Sequence, residues 1–156
     1  MSLKKASVFS LVLLLILVVS GCDRRVYASL EGDQISLDSY RGSWLLINYW
    51  AVWCKPCVEE IPELNHLNQV EDKRIAVLGV NYDSLEPEQL LVQAKKLNIK
   101  FPILLEDPAE HLGIARPQVL PATIMVSPEG EVAKVLIGPQ TVETIRTFIE
   151  KSDQIR

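Results

Sequence analysis

The chain has 156 residues, 48% of them hydrophobic, which is enough apolar material for one domain with a core of its own. Its formal net charge of −4 gives no excess of positive charge to attract nucleic acid, so we predict no nucleic-acid partner. Composition differs sharply only over about the first 25 residues, and the chain has no internal repeats or low-complexity stretches.

The N-terminus has the order of a secretory signal peptide. Lys4 and Lys5 precede an apolar run from Val8 to Val19, and the small residues Ser20 and Gly21 follow it. The apolar run is shorter than the roughly 20 residues that a transmembrane helix needs. A cleaved signal is therefore favoured over the alternative, an uncleaved signal anchor.

The end of this segment, Val19-Ser20-Gly21-Cys22, resembles the lipobox of bacterial lipoproteins. The resemblance implies that residues 1–21 are removed and that Cys22 carries the lipid. Residues 22–156 would then be the mature chain, a short linker and one domain that is globular from about residue 26. Asp23 resembles an inner-membrane retention signal. We therefore expect a lipid-anchored protein of the cell envelope, in the inner membrane, with its domain facing the periplasm or extracytoplasmic space.

The mature chain begins with a predicted hairpin followed by a buried strand. Residues 26–30 and 34–37 are the expected arms of an edge hairpin, and Glu31-Gly32-Asp33 is a turn signal between them. The next run, Trp44–Trp50, is β-prone almost throughout. Such a run is typical of a central strand that is buried on both faces.

Helical and extended patterns then alternate. Apolar residues recur at helical spacing after Cys57, and residues 75–81 predict a second strand. Residues 86–97 predict a helix that is opened by Pro87. The side chains expected to face inward from that helix are Leu90, Leu91, Ala94 and Leu97.

The second half of the chain predicts a different order of elements. Residues 102–105 form a short strand, a brief helix follows around 109–112, and segments 122–126 and 132–136 form a hairpin. A last helix covers residues 142–151. The order β-α-β-α, a connector, then β-β-α predicts an α/β fold with a mixed central sheet and helices on both faces.

The cysteines indicate chemistry. Lipidation of Cys22 would explain the odd number of cysteines and leave Cys54 and Cys57 as a pair. A disulfide across so short a loop adds little to fold stability. Cys54 follows the buried strand and opens a helix, where free backbone N–H groups and the helix dipole favour a thiolate, the nucleophile of thiol–disulfide exchange. Cys57 lies one turn on, where it can attack a mixed disulfide.

The two residues between the cysteines are expected to tune the pair. Pro56 fixes φ in the first turn of the helix and stiffens the ring that opens and closes. Lys55 adds a cation that favours the Cys54 thiolate.

A metal site is the competing interpretation of the cysteine pair. Two thiolates are half of the ligand set of a structural zinc site, and His66 and His111 lack ligand spacing and are predicted on the surface. Two thiolates can hold Cu(I), so a copper metallochaperone stays open. The favoured interpretation has no metal and no cofactor beyond the redox-active disulfide of Cys54 and Cys57.

The segment Tyr49–Cys57 resembles the active site of the thioredoxin superfamily, and Glu60-Ile61-Pro62 resembles its membrane-anchored TlpA/ResA branch. The likeness continues through residues 101–104, 120–123 and 128–138 and covers nearly all of the mature chain. It implies a thioredoxin-like fold and the activity of a thiol–disulfide oxidoreductase.

The resemblance also implies roles for other residues. Pro121 matches the cis-proline that faces the cysteines, and the Leu120 backbone beside it would pair with an extended substrate segment. Asn48 stands where classical thioredoxins carry a buried aspartate that takes a proton from the second cysteine. Because Asn48 cannot titrate, Glu60 is the candidate replacement, with a pKa raised by partial desolvation. The alternative for Glu60 is an ordinary solvated helix glutamate.

Two tryptophans flank the start of the motif. Trp50 and Trp53 would shield the disulfide and shape the substrate surface, and either can instead serve packing. Trp53 is expected to be the more exposed of the two and is assigned to substrate binding.

The leading functional hypothesis is a reductase that accepts disulfides from exported proteins and is re-reduced by a membrane thiol donor. In the TlpA/ResA family, clients include apocytochrome c and copper-site assembly proteins. The alternative of an oxidase or isomerase is favoured by Lys55, but oxidases of that kind usually carry a large helical insertion, and the interval from Asn81 to Phe101 has room for one helix. A peroxidase is disfavoured because the threonine-containing peroxidatic motif is absent.

Overall fold

The computed structural model describes residues 25–69 and 74–155. The predicted signal peptide, the lipobox and Cys22 lie outside the described residues, so the predictions about them stay predictions.

Seven strands and three α-helices make up the described chain. In order they are β1 (Val26–Ala28), β2 (Gln34–Ser36), a 3-10 helix (Leu37–Tyr40), β3 (Trp44–Trp50), α1 (Lys55–Gln69), β4 (Ile75–Asn81), α2 (Pro87–Lys96), β5 (Ile103–Leu104), β6 (Ala122–Val126), β7 (Val132–Ile137) and α3 (Val142–Ile155).

The main sheet has five strands in the order β5-β4-β3-β6-β7. Strands β3, β4 and β5 run parallel, whereas β6 is antiparallel to both β3 and β7. Strand β3 lies at the centre with all seven residues buried, as its β-prone run predicted. The predicted mixed sheet is confirmed, and the carboxyl end of its central strand leads directly to the cysteines.

The N-terminal hairpin forms a separate two-stranded sheet, β1 with β2. It joins the β5 edge of the main sheet, because the N–H of Leu30 donates to the carbonyl of Ile103 at 2.8 Å and the N–H of Leu105 donates to Ala28 at 2.9 Å. The edge hairpin is therefore confirmed, and it covers one exposed edge of the main sheet.

The two faces of the sheet are covered by different kinds of element. Helices α1 and α3 pack with Trp44 and Leu46 of β3, and α2 packs with Trp50. The alternate strand residue Leu45 points to the opposite face, where the hairpin contributes Tyr27. The buried residues of all three described α-helices pack on the face that holds the cysteines, and the 3-10 helix packs on the opposite face through Leu37 and Tyr40, so helical elements cover both faces as predicted.

Two expectations were wrong. Leu91 is 41% exposed, because the short helix α2 buries the narrow stripe of Leu90 and Ala94 instead. Residues 109–112 form turns and not a brief helix. Gly113 follows them with a φ of +71°, a left-handed conformation that stops helical propagation.

Candidate active site

The turn between β3 and α1 places the cysteines at the helix N-terminus. The N–H of Cys54 donates to the carbonyl of Ala51 at 3.2 Å, and the carbonyl of Cys54 accepts from the N–H of Val58 at 3.2 Å. Cys54 therefore occupies the N-cap position of α1. The N–H of Cys57 donates to Cys54 Sγ at 3.3 Å, which is the contact that stabilises negative charge on that sulfur.

Cys54 and Cys57 form a disulfide and differ in accessibility. Cys54 keeps 5% of its surface exposed, whereas Cys57 is fully buried. An incoming sulfur can therefore reach Cys54 only. This asymmetry assigns the first attack to Cys54 and leaves Cys57 as the internal thiol.

Glu60 lies three residues beyond Cys57 on α1 and is buried, with 2% of its surface exposed. Residues three apart on a helix share a face, so Glu60 follows Cys57 along the same side of α1. Its Oε1 accepts a hydrogen bond from Asn48 Nδ2 at 2.7 Å, and its Oε2 accepts from the backbone N–H of Gln140 at 2.8 Å. The alternative of a solvated helix glutamate is excluded by this burial.

Burial raises the pKa of the Glu60 carboxyl from 4.5 to about 7, although the hydrogen bonds from Gln140 and Asn48 work in the opposite direction. The carboxyl therefore changes its charge near neutral pH. A group that does so is suited to accept and return a proton.

Asn48 orients this carboxylate. Its Nδ2 donates to Glu60 and also to Thr123 Oγ1, at 3.1 Å, so both amide hydrogens are used within the buried site. Asn48 Oδ1 is buried without a hydrogen-bond partner. At the position where classical thioredoxins carry a buried aspartate, this chain therefore has an amide that donates to the Glu60 carboxylate.

Protonation of Glu60 makes the free energy of unfolding depend on pH. Because the folded pKa, about 7, lies above the unfolded value of 4.5, its contribution is complete below pH 4.5 and is lost as pH rises to 7. The loss amounts to about 3 kcal/mol. We expect urea denaturation to show this fall in the native chain relative to Glu60→Gln, whose amide does not titrate. Parallel curves for the two proteins from pH 4.5 to 8 would contradict the assignment.

Trp53 and Trp50 differ as predicted. Trp53 is 63% exposed beside Cys54, whereas Trp50 is fully buried and packs under the cysteines. The indole N–H of Trp53 donates to the two carboxylate oxygens of Asp83, at 3.0 and 3.1 Å, and its ring meets the ring of Tyr82 edge-on, with centroids 6.3 Å apart.

The peptide bond from Leu120 to Pro121 is cis, as predicted. Leu120 packs against the cluster of buried residues that contains Cys54 and Cys57. The carbonyl of Pro121 accepts from the N–H of Gly138 at 2.9 Å, which fixes the start of β6 beside β7. The structure therefore brings this segment to the cysteines.

The two residues between the cysteines have different surroundings. Pro56 is half-buried in the first turn of α1. The Lys55 side chain is 87% exposed, and its Nζ lies 3.7 Å from Glu59 Oε1. Solvent and Glu59 both screen that charge, and the tuning of Cys54 by Lys55 stays a prediction.

The profile of the AhpC/TSA family matches residues 23–135. The chain belongs to this family. It is 29% identical over 129 residues to the thiol-disulfide oxidoreductase ResA of Bacillus cereus, covering 81% of this chain and 73% of the relative. It is 32% identical over 127 residues to the ResA of Geobacillus thermodenitrificans, covering 80% and 72% of the two chains. The protein is therefore a thiol–disulfide oxidoreductase of the ResA type.

Solved structures share its fold. StoA from Bacillus subtilis matches with a TM-score of 0.65 and 24% identity, covering 80% of this chain and 95% of that one. The exposed lipoprotein thioredoxin Etrx1 from Streptococcus pneumoniae matches with a TM-score of 0.68 and 20% identity, covering 81% and 98%. The predicted thioredoxin-like fold is confirmed.

A metal site of three or more side-chain ligands is not found in the described part of the chain, and the alternative of Cu(I) on the two thiolates stays open. Within residues 25–69 and 74–155, no three His, Cys, Asp or Glu side chains are grouped closely enough to hold an ion. His66 and His111 are exposed, and the ring of His111 lies 6.2 Å from that of Tyr27. Over the same residues, no helix has both the length and the apolar character needed to span a bilayer.

Several residues of the site were not found from the sequence. Thr123 follows the predicted Pro121 segment, but nothing in the pattern indicated its bond to Asn48. Gln140 acts through its backbone N–H, which carries no side-chain signal. Tyr82 and Asp83 follow β4 at the same sheet edge as the cysteines, and that position in a parallel sheet is the signal that could have identified them.

Proposed function

We propose that this oxidoreductase is a reductase of disulfides in exported proteins, working from a lipid anchor at Cys22. The observation that carries the proposal is the buried Glu60 carboxyl on the same helix face as Cys57. Negative charge there disfavours a thiolate nearby, which destabilises the reduced pair and makes it a better electron donor.

The reduced pair would act in two exchanges. The Cys54 thiolate attacks one sulfur of a client disulfide, forms a mixed disulfide and releases the other client sulfur as a thiolate. Cys57, after losing its proton to Glu60, attacks Cys54 Sγ and releases the second client thiolate. The Cys54–Cys57 disulfide forms, and two electrons pass to the client. A membrane thiol donor returns the pair to the dithiol.

Client docking follows from the surface beside Cys54. In this proposal the Leu120 backbone, next to Pro121, would pair with an extended client segment, and the exposed Trp53 ring would contribute apolar contact; the packing of Leu120 against the cluster that holds the cysteines supports this. Pairing through main-chain groups tolerates different client sequences. This suits an enzyme that recognises an exposed disulfide segment.

We propose exported proteins whose paired cysteines must stay reduced as clients, such as apocytochrome c with its CxxCH motif or copper-site assembly proteins. The chain itself has no CxxCH motif, so it would service such proteins and not carry haem. The name of the pneumococcal neighbour, an exposed lipoprotein thioredoxin, describes the arrangement that the Val19-Ser20-Gly21-Cys22 segment suggests for this chain.

The proposal is tested by mixing the reduced protein with an oxidised peptide that contains one CxxCH motif. We expect one peptide disulfide to be reduced for each Cys54–Cys57 disulfide that forms. Thiol alkylation followed by mass spectrometry measures both. The control is the same peptide with both cysteines methylated, which has no disulfide to reduce and should leave the Cys54–Cys57 pair reduced. If the oxidised protein instead oxidises the reduced peptide and the reverse reaction is not seen, the enzyme is an oxidase.

A further inference from the structure

A cluster of polar and aromatic side chains connects the β5–β6 segment with the start of α1. Arg116, on that segment, has its Nε 3.0 Å from Asp107 Oδ2. One of its terminal N–H groups donates to the carbonyl of Tyr82 at 2.6 Å, and its guanidinium carbon lies 4.3 Å from the centre of the Tyr82 ring. Arg116 therefore holds both the backbone and the ring of Tyr82.

Asp107 fixes Arg116 to the centre of the sheet. Its Oδ1 accepts a hydrogen bond from the hydroxyl of Tyr49 at 2.6 Å and another from the N–H of Ala109 at 2.9 Å. Tyr49 is a fully buried residue of β3. Burial, and then its bond to Asp107, raises the pKa of the Tyr49 phenol, so the hydroxyl remains a donor at neutral pH. The Arg116 guanidinium is therefore anchored, through Asp107, to a buried residue of the central strand.

Tyr82 and its neighbour Asp83 both contact Trp53 and restrict the position of its ring. The Tyr82 ring meets the Trp53 ring edge-on, at an interplanar angle of 88°, and the neighbouring Asp83 accepts the indole N–H. Trp53 directly precedes Cys54 and is 63% exposed. A tryptophan so exposed has freedom to rotate unless its neighbours restrain it. Here the restraint comes from the turn that Arg116 secures.

We propose that Arg116 is a positioning residue for client docking, which holds Tyr82 against Trp53 so that the Trp53 ring is a fixed wall beside the reactive disulfide. The inference rests on the proposed function, in which protein clients dock at Cys54. The wall favours a client segment with an apolar side chain next to its cysteine. Because the ring is ordered before binding, the client does not bear the entropy cost of ordering it.

The position of Arg116 predicts which kinetic constants respond. Arg116 contacts Tyr82 and Asp107, and neither of them is a cysteine or Glu60. Its loss should therefore weaken the docking of large clients without changing the reactivity of the Cys54 thiolate. A small disulfide, which needs no wall, should react as before.

The test uses the full-length chain in detergent, with Arg116→Gln, Arg116→Lys and Tyr82→Leu. Arg146→Gln, an exposed arginine on α3, is the matched control. Insulin is the protein disulfide, and dithiobis(nitrobenzoate) is the small one. We expect Arg116→Gln to raise KM for insulin roughly two- to fivefold, the loss that one cation–π contact represents, with kcat and the small-disulfide rate unchanged. Arg116→Lys should restore KM only in part, because an ammonium can lie over the Tyr82 ring but cannot also reach Asp107 and the Tyr82 carbonyl as the planar guanidinium does.

Trp53 mobility is the second measurement. Trp44 and Trp50 are buried, so an increase in the subnanosecond component of tryptophan anisotropy reports on Trp53. We expect that increase in Arg116→Gln and in Tyr82→Leu, and not in Arg146→Gln. If Arg116→Gln does not fold, Tyr82→Leu carries the same test of KM and mobility.

The outcomes separate the two proposals. An unchanged KM for insulin, or an equal loss of rate with both disulfides, would overturn the positioning role while the reductase proposal stands. Absence of insulin reduction by the native chain would overturn the reductase proposal. If Arg116→Gln increases Trp53 mobility but docking of protein clients is not detected, Arg116 has a structural role only.

Discussion

Replacing Cys57 with serine will stop turnover and leave Cys54 covalently joined to its client. Cys57 is the thiol expected to resolve the mixed disulfide at Cys54, and residues 25–69 and 74–155 hold no third cysteine that could replace it. The experiment uses residues 23–156, which lack Cys22. We expect the rate of insulin reduction to fall at least ~100-fold, because the covalent intermediate cannot break down. Non-reducing electrophoresis and mass spectrometry of the stalled protein measure the trapped complex.

Cys54→Ser is the matched control for that experiment. It should lose turnover equally but trap no client, because the buried Cys57 cannot be reached from outside. A trapped client in Cys54→Ser, together with a free Cys54 in Cys57→Ser, would reverse the assigned order of attack.

Glu60→Gln will remove the pH dependence of the second exchange near neutrality. The base form of Glu60 is the carboxylate, which predominates above its pKa of about 7, so the rate of mixed-disulfide resolution in the native enzyme should rise through that pH. In Glu60→Gln the rise should move to the higher pH at which a cysteine thiol ionises unaided. We expect a loss of ~100-fold at pH 7.5, the lower end of what general base catalysis contributes.

The glutamine variant fits the site with little rearrangement. Asn48 Oδ1 has no hydrogen-bond partner, so a flip of the Asn48 amide presents an acceptor to the new N–H₂ group. Glu59→Gln, an exposed neighbour on the same helix, is the control and should keep the native pH profile. An unchanged inflection near pH 7 in Glu60→Gln, measured by single-turnover kinetics, would show that another group takes the proton.

Patterns in the sequence predicted the central part of the fold because local physics and tertiary packing agree there. Trp44–Trp50 is apolar at every position except Asn48, and full burial at the sheet centre is the arrangement that satisfies such a run. The N-cap position of Cys54 follows equally from strand, turn and helix in succession. The prediction that Leu91 faces inward was wrong because helical spacing alone cannot determine how wide an apolar stripe a short helix buries.

Other features of the site depend on contacts between distant parts of the chain. The bond from Gln140 to Glu60 spans 80 residues and uses a backbone N–H, so no residue type indicates it. Arg116 and Tyr82 meet only because the turns after β4 and β5 converge at one edge of the sheet.

The reduction potential of the Cys54–Cys57 pair tests the central claim most directly. It would be measured on residues 23–156, which lack Cys22, by equilibration with glutathione and quantification of the oxidised fraction. A reductase with an acidic group behind its cysteines should have a potential below about −220 mV, towards that of thioredoxin. A value near −120 mV, in the range of a strong oxidant, would contradict the account and assign the enzyme to disulfide formation.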